Sequence, residues 1–152
     1  ADDQMEAALA KKKLAAMKIR DRIKTAVWAR IEALRNDKEA ARRAGAFLTL
    51  PPHAATGMKL LYNTVDRMWR AAGDTSTDFN FYTKRMILAG VSSSTLMRWF
   101  TDQSKDEAET KAFLDARIEN VMRFEKFKAD VKEHTKDWPS LSDVLGRFGS
   151  RR

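Results

Sequence analysis

Between Phe79 and Phe100 apolar and small side chains hold a three-four spacing through Tyr82, Met86, Ala89, Ser93, Leu96 and Phe100, while Phe81, Leu88, Val91 and Trp99 populate a second face. That spacing fits a helix of more than about five turns. A helix apolar on more than one side belongs in the middle of a fold, so the rest of the chain is expected to pack around it. Inside the segment Ala89, Gly90 and the run Ser92 to Thr95 are small. Gly90 costs about 1 kcal/mol relative to alanine in a helix interior, which a close backbone approach or a cavity would justify; ordinary helix packing is the simpler reading.

The remaining periodicities are also helical. An Ala/Lys-rich stretch with few large apolar residues runs to about Met17 and reads as the tail of a helix begun earlier. Ile19, Ile23, Val27, Ile31 and Leu34 then mark an amphipathic helix, with a break at Asn36 and Asp37. A shorter helix from Lys38 to Leu48 is stopped by Pro51 and Pro52, which lack the backbone donor a helix interior needs. Met58, Leu61, Val65, Met68, Trp69 and Ala72 define another, closed by Gly73. After a break at Thr101 to Asp106, Phe113, Leu114, Ile118, Val121, Phe124 and Phe127 mark a last long helix reaching about His134. Trp138, Leu141, Val144, Leu145 and Phe148 share one face of a short terminal helix, with Pro139 in its first turn and Ser140 and Asp143 resembling a capping box. The expected fold is all-α, a helical bundle of about six helices and a short seventh, with residues 1–137 as the helical domain and 138–152 as an amphipathic terminal segment.

Composition narrows the chemistry. The 152 residues include no cysteine and two histidines, His53 and His134, neither preceded by glutamate at the third position before it. A disulfide framework, a thiolate metal site, a cysteine nucleophile and a paired Glu-x-x-His di-iron site are therefore excluded, and neither catalytic residues nor a metal is expected. Lys and Arg number 29 against 21 Asp and Glu, a net charge of +8. The excess is diffuse, with a mild concentration before residue 44 and acidic residues interleaved, so no nucleic-acid partner is expected. The longest uncharged stretch, Met86 to Met97, falls well short of the roughly 20 residues of a membrane span. A soluble chain that meets a membrane only by its surface is expected.

The most unusual local sequence is GDTSTDFNFYTKR, residues 73–85. Asp74, Ser76 and Asp78 imitate the first ligand positions of a calcium-binding loop, but Phe79 stands where that loop turns on glycine and Arg85 where it needs a bidentate glutamate. A helix boundary fits better: Gly73 ends one helix, the hydroxyl of Thr75 or Thr77 caps the next, and Asp74 and Asp78 lie near its positive end. Phe79, Phe81 and Tyr82 fall on different sides of one turn, so at least one aromatic is expected to face outward, where a protein or lipid partner could meet it. The terminal stripe admits docking within the chain, docking across a dimer, or a membrane interface.

The segment VDRMWRAAGDTSTDFNFYTKRMILAGV, followed by DQSKDEAETKAFLDARIENVMRF, resembles the lipid-binding ubiquinone-biosynthesis accessory family called coenzyme Q biosynthesis protein nine. The likeness extends upstream through LAAMKIRDRI and FLTLPPH, about residues 14 to 124. It implies a bundle like the ligand-binding domain of TetR regulators, here without the N-terminal helix-turn-helix headpiece, and a protein that is not an enzyme and carries no cofactor. An isoprenoid lipid, quinone precursor or phospholipid is expected in a hydrophobic cavity. Its lining is expected from Leu61, Val65, Met86, Ala89, Gly90, Ser93 and Leu96, joined by Phe113, Ile118 and Val121 of the last long helix. The resemblance further implies a homodimer that presents its ligand to the di-iron demethoxyubiquinone hydroxylase through Met68, Phe81 and Tyr82. It also implies a membrane contact through Trp138, Leu141, Val144, Leu145, Arg147 and Phe148. The compartment would be the bacterial cytoplasm beside the inner membrane, or the mitochondrial matrix face of that membrane. The alternative reading is the ligand-binding domain of a TetR-type transcriptional regulator.

Overall fold

In a computed structural model, which describes residues 1–75 and 79–134, six α-helices follow one another: α1 Asp2–Ala10, α2 Ile19–Leu34, α3 Lys38–Thr49, α4 Ala54–Ala71, α5 Phe79–Thr101 and α6 Ala108–His134. Short 3-10 turns lie at Leu14–Ala16, Arg35–Asp37, Pro51–His53 and Lys105–Glu107, and no strand occurs among the described residues. The fold is all-α. The terminal helix expected over 138–149 lies outside the described residues, as do Ser76, Thr77 and Asp78. The chain divides into two units, Ala1–Ile118 and Glu119 onward, with the division inside α6; the expected boundary at 137/138 lies outside the described residues.

The breaks fall where turn chemistry put them. Asn36 and Asp37 sit in a 3-10 turn, Pro51 and Pro52 follow the end of α3, and Gly73 closes α4. Gly73 adopts φ +86, its N–H donates to the Arg70 carbonyl at 3.0 Å, and the Asp74 N–H donates to the Trp69 carbonyl at 3.0 Å. This is a Schellman closure, which needs a left-handed residue at that position. Helix starts were less legible. α4 begins at Ala54 and α6 at Ala108, each ahead of the first large apolar residue of its stripe.

The Ala/Lys-rich stretch is not one helix to Met17. α1 stops at Ala10, and the chain turns so that Leu14 joins Met5 and Leu9 in the core. Arg22 holds the reversal: its guanidinium donates to the carbonyls of Ala15, Met17 and Ala72, each at 2.9 Å. Those carbonyls would otherwise lack helical partners. Long-range burial thus overrides the helix propensity of the stretch.

The core of the first unit combines Ile23, Val27 and Ile31 of α2, Val65, Met68 and Trp69 of α4, Leu88, Val91 and Trp99 of α5, and Leu114 of α6. Full removal of such a side chain from water is worth about 1.5–3 kcal/mol. Polar ties supplement it. Asp2 of α1 pairs with Arg30 of α2 and accepts from Thr64 of α4, while Lys24 of α2 pairs with Asp115 of α6 at 2.5 Å. In the second unit α6 continues with the ion pairs Glu119–Arg123 and Glu125–Lys128 along its surface, and Met122, Phe124, Phe127 and Val131 exposed.

α5 corrects the expectation that both of its apolar faces are interior. The buried face carries Leu88, Val91, Ser92, Thr95 and Trp99, that is, the set assigned to the second face without half-buried Phe81 and with two small polar residues, while Ala89 of the first series is buried too. Tyr82, Met86 and Met97 are 61, 57 and 60% exposed. With Gly90 and Ser93 they form an uncharged stripe on the opposite side, as the 100° advance per residue of a helix requires. No backbone approaches Gly90: among the described residues a Cβ there would meet nothing within 4 Å. The close approach occurs instead at Gly57, where a Cβ would stand 2.8 Å from the Leu48 carbonyl oxygen as α3 and α4 converge.

Candidate functional site

The sequence GDTSTDFNFYTKR joins α4 to α5, and among its described residues Asp74 and Arg85 face inward. Arg85 lies two turns into α5 and is 1% exposed. Its Nε donates to Asp66 of α4 at 2.7 Å, and one terminal nitrogen donates to Asp74 of the turn at 3.2 Å and to the Phe81 carbonyl at 3.1 Å. The guanidinium also stacks on the Phe81 ring, 3.4 Å from its centroid. A buried guanidinium needs such partners, because an unpaired charge in the interior costs several kcal/mol.

Neighbouring groups complete the cluster. Lys84 donates to Asp74 at 2.8 Å and lies 5.6 Å from the Trp69 ring centroid, while the Trp69 indole N–H donates to the Lys84 carbonyl at 3.0 Å. Asp66 also pairs with Arg70 at 2.8 Å. The two carboxylates therefore bind four sites on three cations, and the start of α5 is fixed to the end of α4 by charge as well as by packing. Asp74, expected above near the positive end of α5, also anchors two cations.

Tyr82 is what this arrangement presents. Its ring stands edge-on to Phe81 at 5.1 Å between centroids and faces solvent. Phe81 is half-buried and covers the Arg85 guanidinium. Met68 is a correction: with 0% exposure it cannot belong to a contact surface. It is buried between α4 and α5, where its sulfur accepts from the Ser92 hydroxyl at 3.7 Å. The expected outward aromatic is Tyr82, and the surface continues along α5 to Met86 and Met97 rather than back to Met68.

The residues expected to line a lipid cavity are dispersed in environment. Val65 and Ala89 are buried; Leu61, Ser93, Leu96, Phe113 and Ile118 are half-buried; Met86 and Gly90 face outward; Val121 is half-buried in the second unit. A cleft of about 500 Å³ in the first unit is lined instead by Leu9, Ala10, Leu14, Ala15, Arg67 and Ala71 with the neighbouring Glu6, Lys12, Lys13 and Arg70. None of the expected lining residues borders it. The expected membrane residues Trp138, Leu141, Val144, Leu145, Arg147 and Phe148 lie outside the described residues. Sequence reasoning missed Arg85 because arginine reads as surface. Its register reveals it: 85, 88, 92, 95 and 99 form one three-four series, and that series is the buried face.

Comparison with known proteins places this turn inside a recognised region. The family model described as COQ9 matches residues 54–125, which run from the start of α4 into α6. The chain is 39% identical over 110 residues to "Ubiquinone biosynthesis protein COQ9, mitochondrial" of Rattus norvegicus, covering 72% of this chain and 35% of the relative. It is 36% identical over 110 residues to the Homo sapiens protein of that name, with the same coverage, and 41% identical over 90 residues to the Bos taurus protein, covering 59% of this chain and 28% of the relative. The chain thus spans about a third of the length of these relatives.

Proposed function

The chain belongs to the COQ9 family, and we propose that it is a non-catalytic accessory protein of ubiquinone biosynthesis, which binds isoprenoid lipid or quinone precursor and presents it to a quinone-ring hydroxylase at a membrane surface. The observation that carries the reading is the match over α4, α5 and the start of α6 to proteins named for that pathway. Their names also give the mitochondrion as their compartment, which supports the mitochondrial option for this chain.

The geometry supports a docking role for Tyr82. An outward aromatic with two side-chain torsions loses little rotamer freedom on binding, and tyrosine joins an apolar ring to a polar tip. Phe81 contributes at its edge, and Met68 contributes by packing α4 on α5 rather than by contact. For the lipid, half-buried Leu61, Leu96, Phe113 and Ile118 supply apolar surface, and affinity comes from displacing water from it. In this reading Trp138, Leu141, Val144, Leu145 and Phe148 enter the membrane interface, Arg147 meets anionic headgroups, and the working form is a homodimer.

Native mass spectrometry combined with lipid extraction tests the lipid reading. Isoprenoid lipid or phospholipid should copurify with the chain or be taken up from vesicles that contain it. Protein that carries neither and acquires neither would remove lipid presentation from the account.

A further inference from the structure

We infer that Arg85 is a positioning residue for the Tyr82 surface, acting through its carboxylate anchors and its stack on Phe81 rather than by touching a partner; the inference rests on the docking role proposed for Tyr82. Its side chain is almost wholly buried, as is that of Asp74, whereas Tyr82 is exposed three residues away on the same helix. Arg85 therefore cannot meet a partner, yet every group that it binds bears on where Tyr82 sits. Asp66 belongs to α4, Asp74 to the turn, and Phe81 is the immediate neighbour of Tyr82. The Phe81 ring touches both the guanidinium and the Tyr82 ring, so the stack bears on the surface against which Tyr82 rests.

A merely structural role explains less of this. Replacement of a buried ion pair by well-packed apolar residues is often neutral or stabilising, so the cluster is a weak source of stability. What a fully partnered buried network supplies is a single geometry. An arginine is also better suited than a lysine to the work: its planar fork reaches two carboxylates from different elements while its face covers a ring, and an ammonium offers only a point charge. The carboxylates and cations facing this guanidinium are Asp66 and Asp74, with Lys84 and Arg70 sharing them from the outer side.

The test is a double-mutant cycle in the full chain, read as affinity for the purified demethoxyubiquinone hydroxylase of the same organism, with a thermal melt of every variant. Arg85→Lys should weaken binding about tenfold in the wild-type background and cost no further affinity in a Tyr82→Ala background. Asp74→Asn, which removes one anchor while Asp66 remains, should give a smaller loss with the same non-additivity, and it serves where Arg85→Lys melts too low to assay. Hydrogen exchange should quicken at the amides of the first two turns of α5 in both variants. Equal losses in the two backgrounds, or unchanged affinity for Arg85→Lys while Tyr82→Ala still weakens the complex, would overturn the inference and leave the docking role standing. Unchanged affinity for Tyr82→Ala would overturn the docking role, and the inference with it.

Discussion

Asp102 closes the turn between α5 and α6 on Thr110: its Oδ2 accepts from the Thr110 backbone N–H at 2.8 Å and from the Thr110 hydroxyl, while Oδ1 accepts from the Ser104 N–H at 2.7 Å. The Ser104 hydroxyl joins Oδ1 at 2.5 Å. Hydrogen bonds from Ser104 and Thr110 to the charged form hold this carboxyl well below the usual aspartate range, against the opposing effect of burial. A depressed folded-state value means that the stabilisation is complete above the unfolded value of about 3.9 and is lost as pH falls through the folded value below it. Asp102→Asn should lower the melting temperature at pH 7, and the gap to wild type should close as pH drops below about 4. Thermal melts from pH 7 to pH 2 read this, and a constant gap would contradict it.

Met68 and Tyr82 should separate cleanly by assay. Met68→Ala opens a cavity in a fully buried site and should cost about 2–5 kcal/mol of folding stability. Tyr82→Ala removes an exposed ring and should change stability by about 0.5 kcal/mol or less, while weakening the hydroxylase complex by at least about 1 kcal/mol. Urea unfolding and a direct binding measurement check the pair. A large stability loss for Tyr82→Ala with unchanged affinity would place Tyr82 among the packing residues.

Helix type and most breaks were legible because turn chemistry is local: Pro51, Pro52 and Gly73 act through backbone geometry whatever surrounds them. Burial is not local. Spacing identified two apolar faces on α5 but could not say which one neighbouring helices cover, and in the series headed by Tyr82 and Met86 those two proved to be exposed, Ala89 buried, and Ser93, Leu96 and Phe100 half-buried. The end of α1 was hidden for a similar reason, since Leu14 is drawn inward by a reversal that depends on Arg22, a residue of the next helix, and on the Ala72 carbonyl at the end of α4. At the candidate site, Tyr82 was found by resemblance and by the count of aromatics in one turn. The buried Arg85 was not found, because composition treats a charge as surface and only its register with Leu88, Thr95 and Trp99 betrays its side.

Glu107 joins three elements at the same turn as Asp102. It binds Arg35 through both oxygens at 3.0 and 2.9 Å and accepts from the Trp99 indole N–H at 2.7 Å. Its own backbone is left-handed, with φ 57, a conformation that side chains other than glycine adopt at a cost. Glu107→Ala leaves the N–H of fully buried Trp99 without its acceptor and should destabilise the chain by about 1–3 kcal/mol. Glu107→Gln keeps an acceptor for Trp99 and one bond to Arg35, so it should lose less than half as much. Equal urea midpoints for the two variants would show that the acceptor for Trp99 is not what matters.

Two glycines give opposite expectations for one chemical change. At Gly57 an added methyl group would stand 2.8 Å from the Leu48 carbonyl oxygen and 3.1 Å from the Leu48 Cβ, and the first of these is backbone that cannot swing aside. Gly57→Ala must therefore part α3 from α4 and should cost about 1–3 kcal/mol. At Gly90 the same methyl group meets open space on the outer face of α5, so only backbone entropy changes and Gly90→Ala should add about 0.5–1 kcal/mol. Denaturant midpoints measured over a range of protein concentrations decide the matter. A gain at Gly90 that holds at every concentration is the expected result for an uncovered stripe. A loss that grows with concentration would mean that a second copy packs closely on Tyr82, Met86 and Met97, with Gly90 as its point of approach.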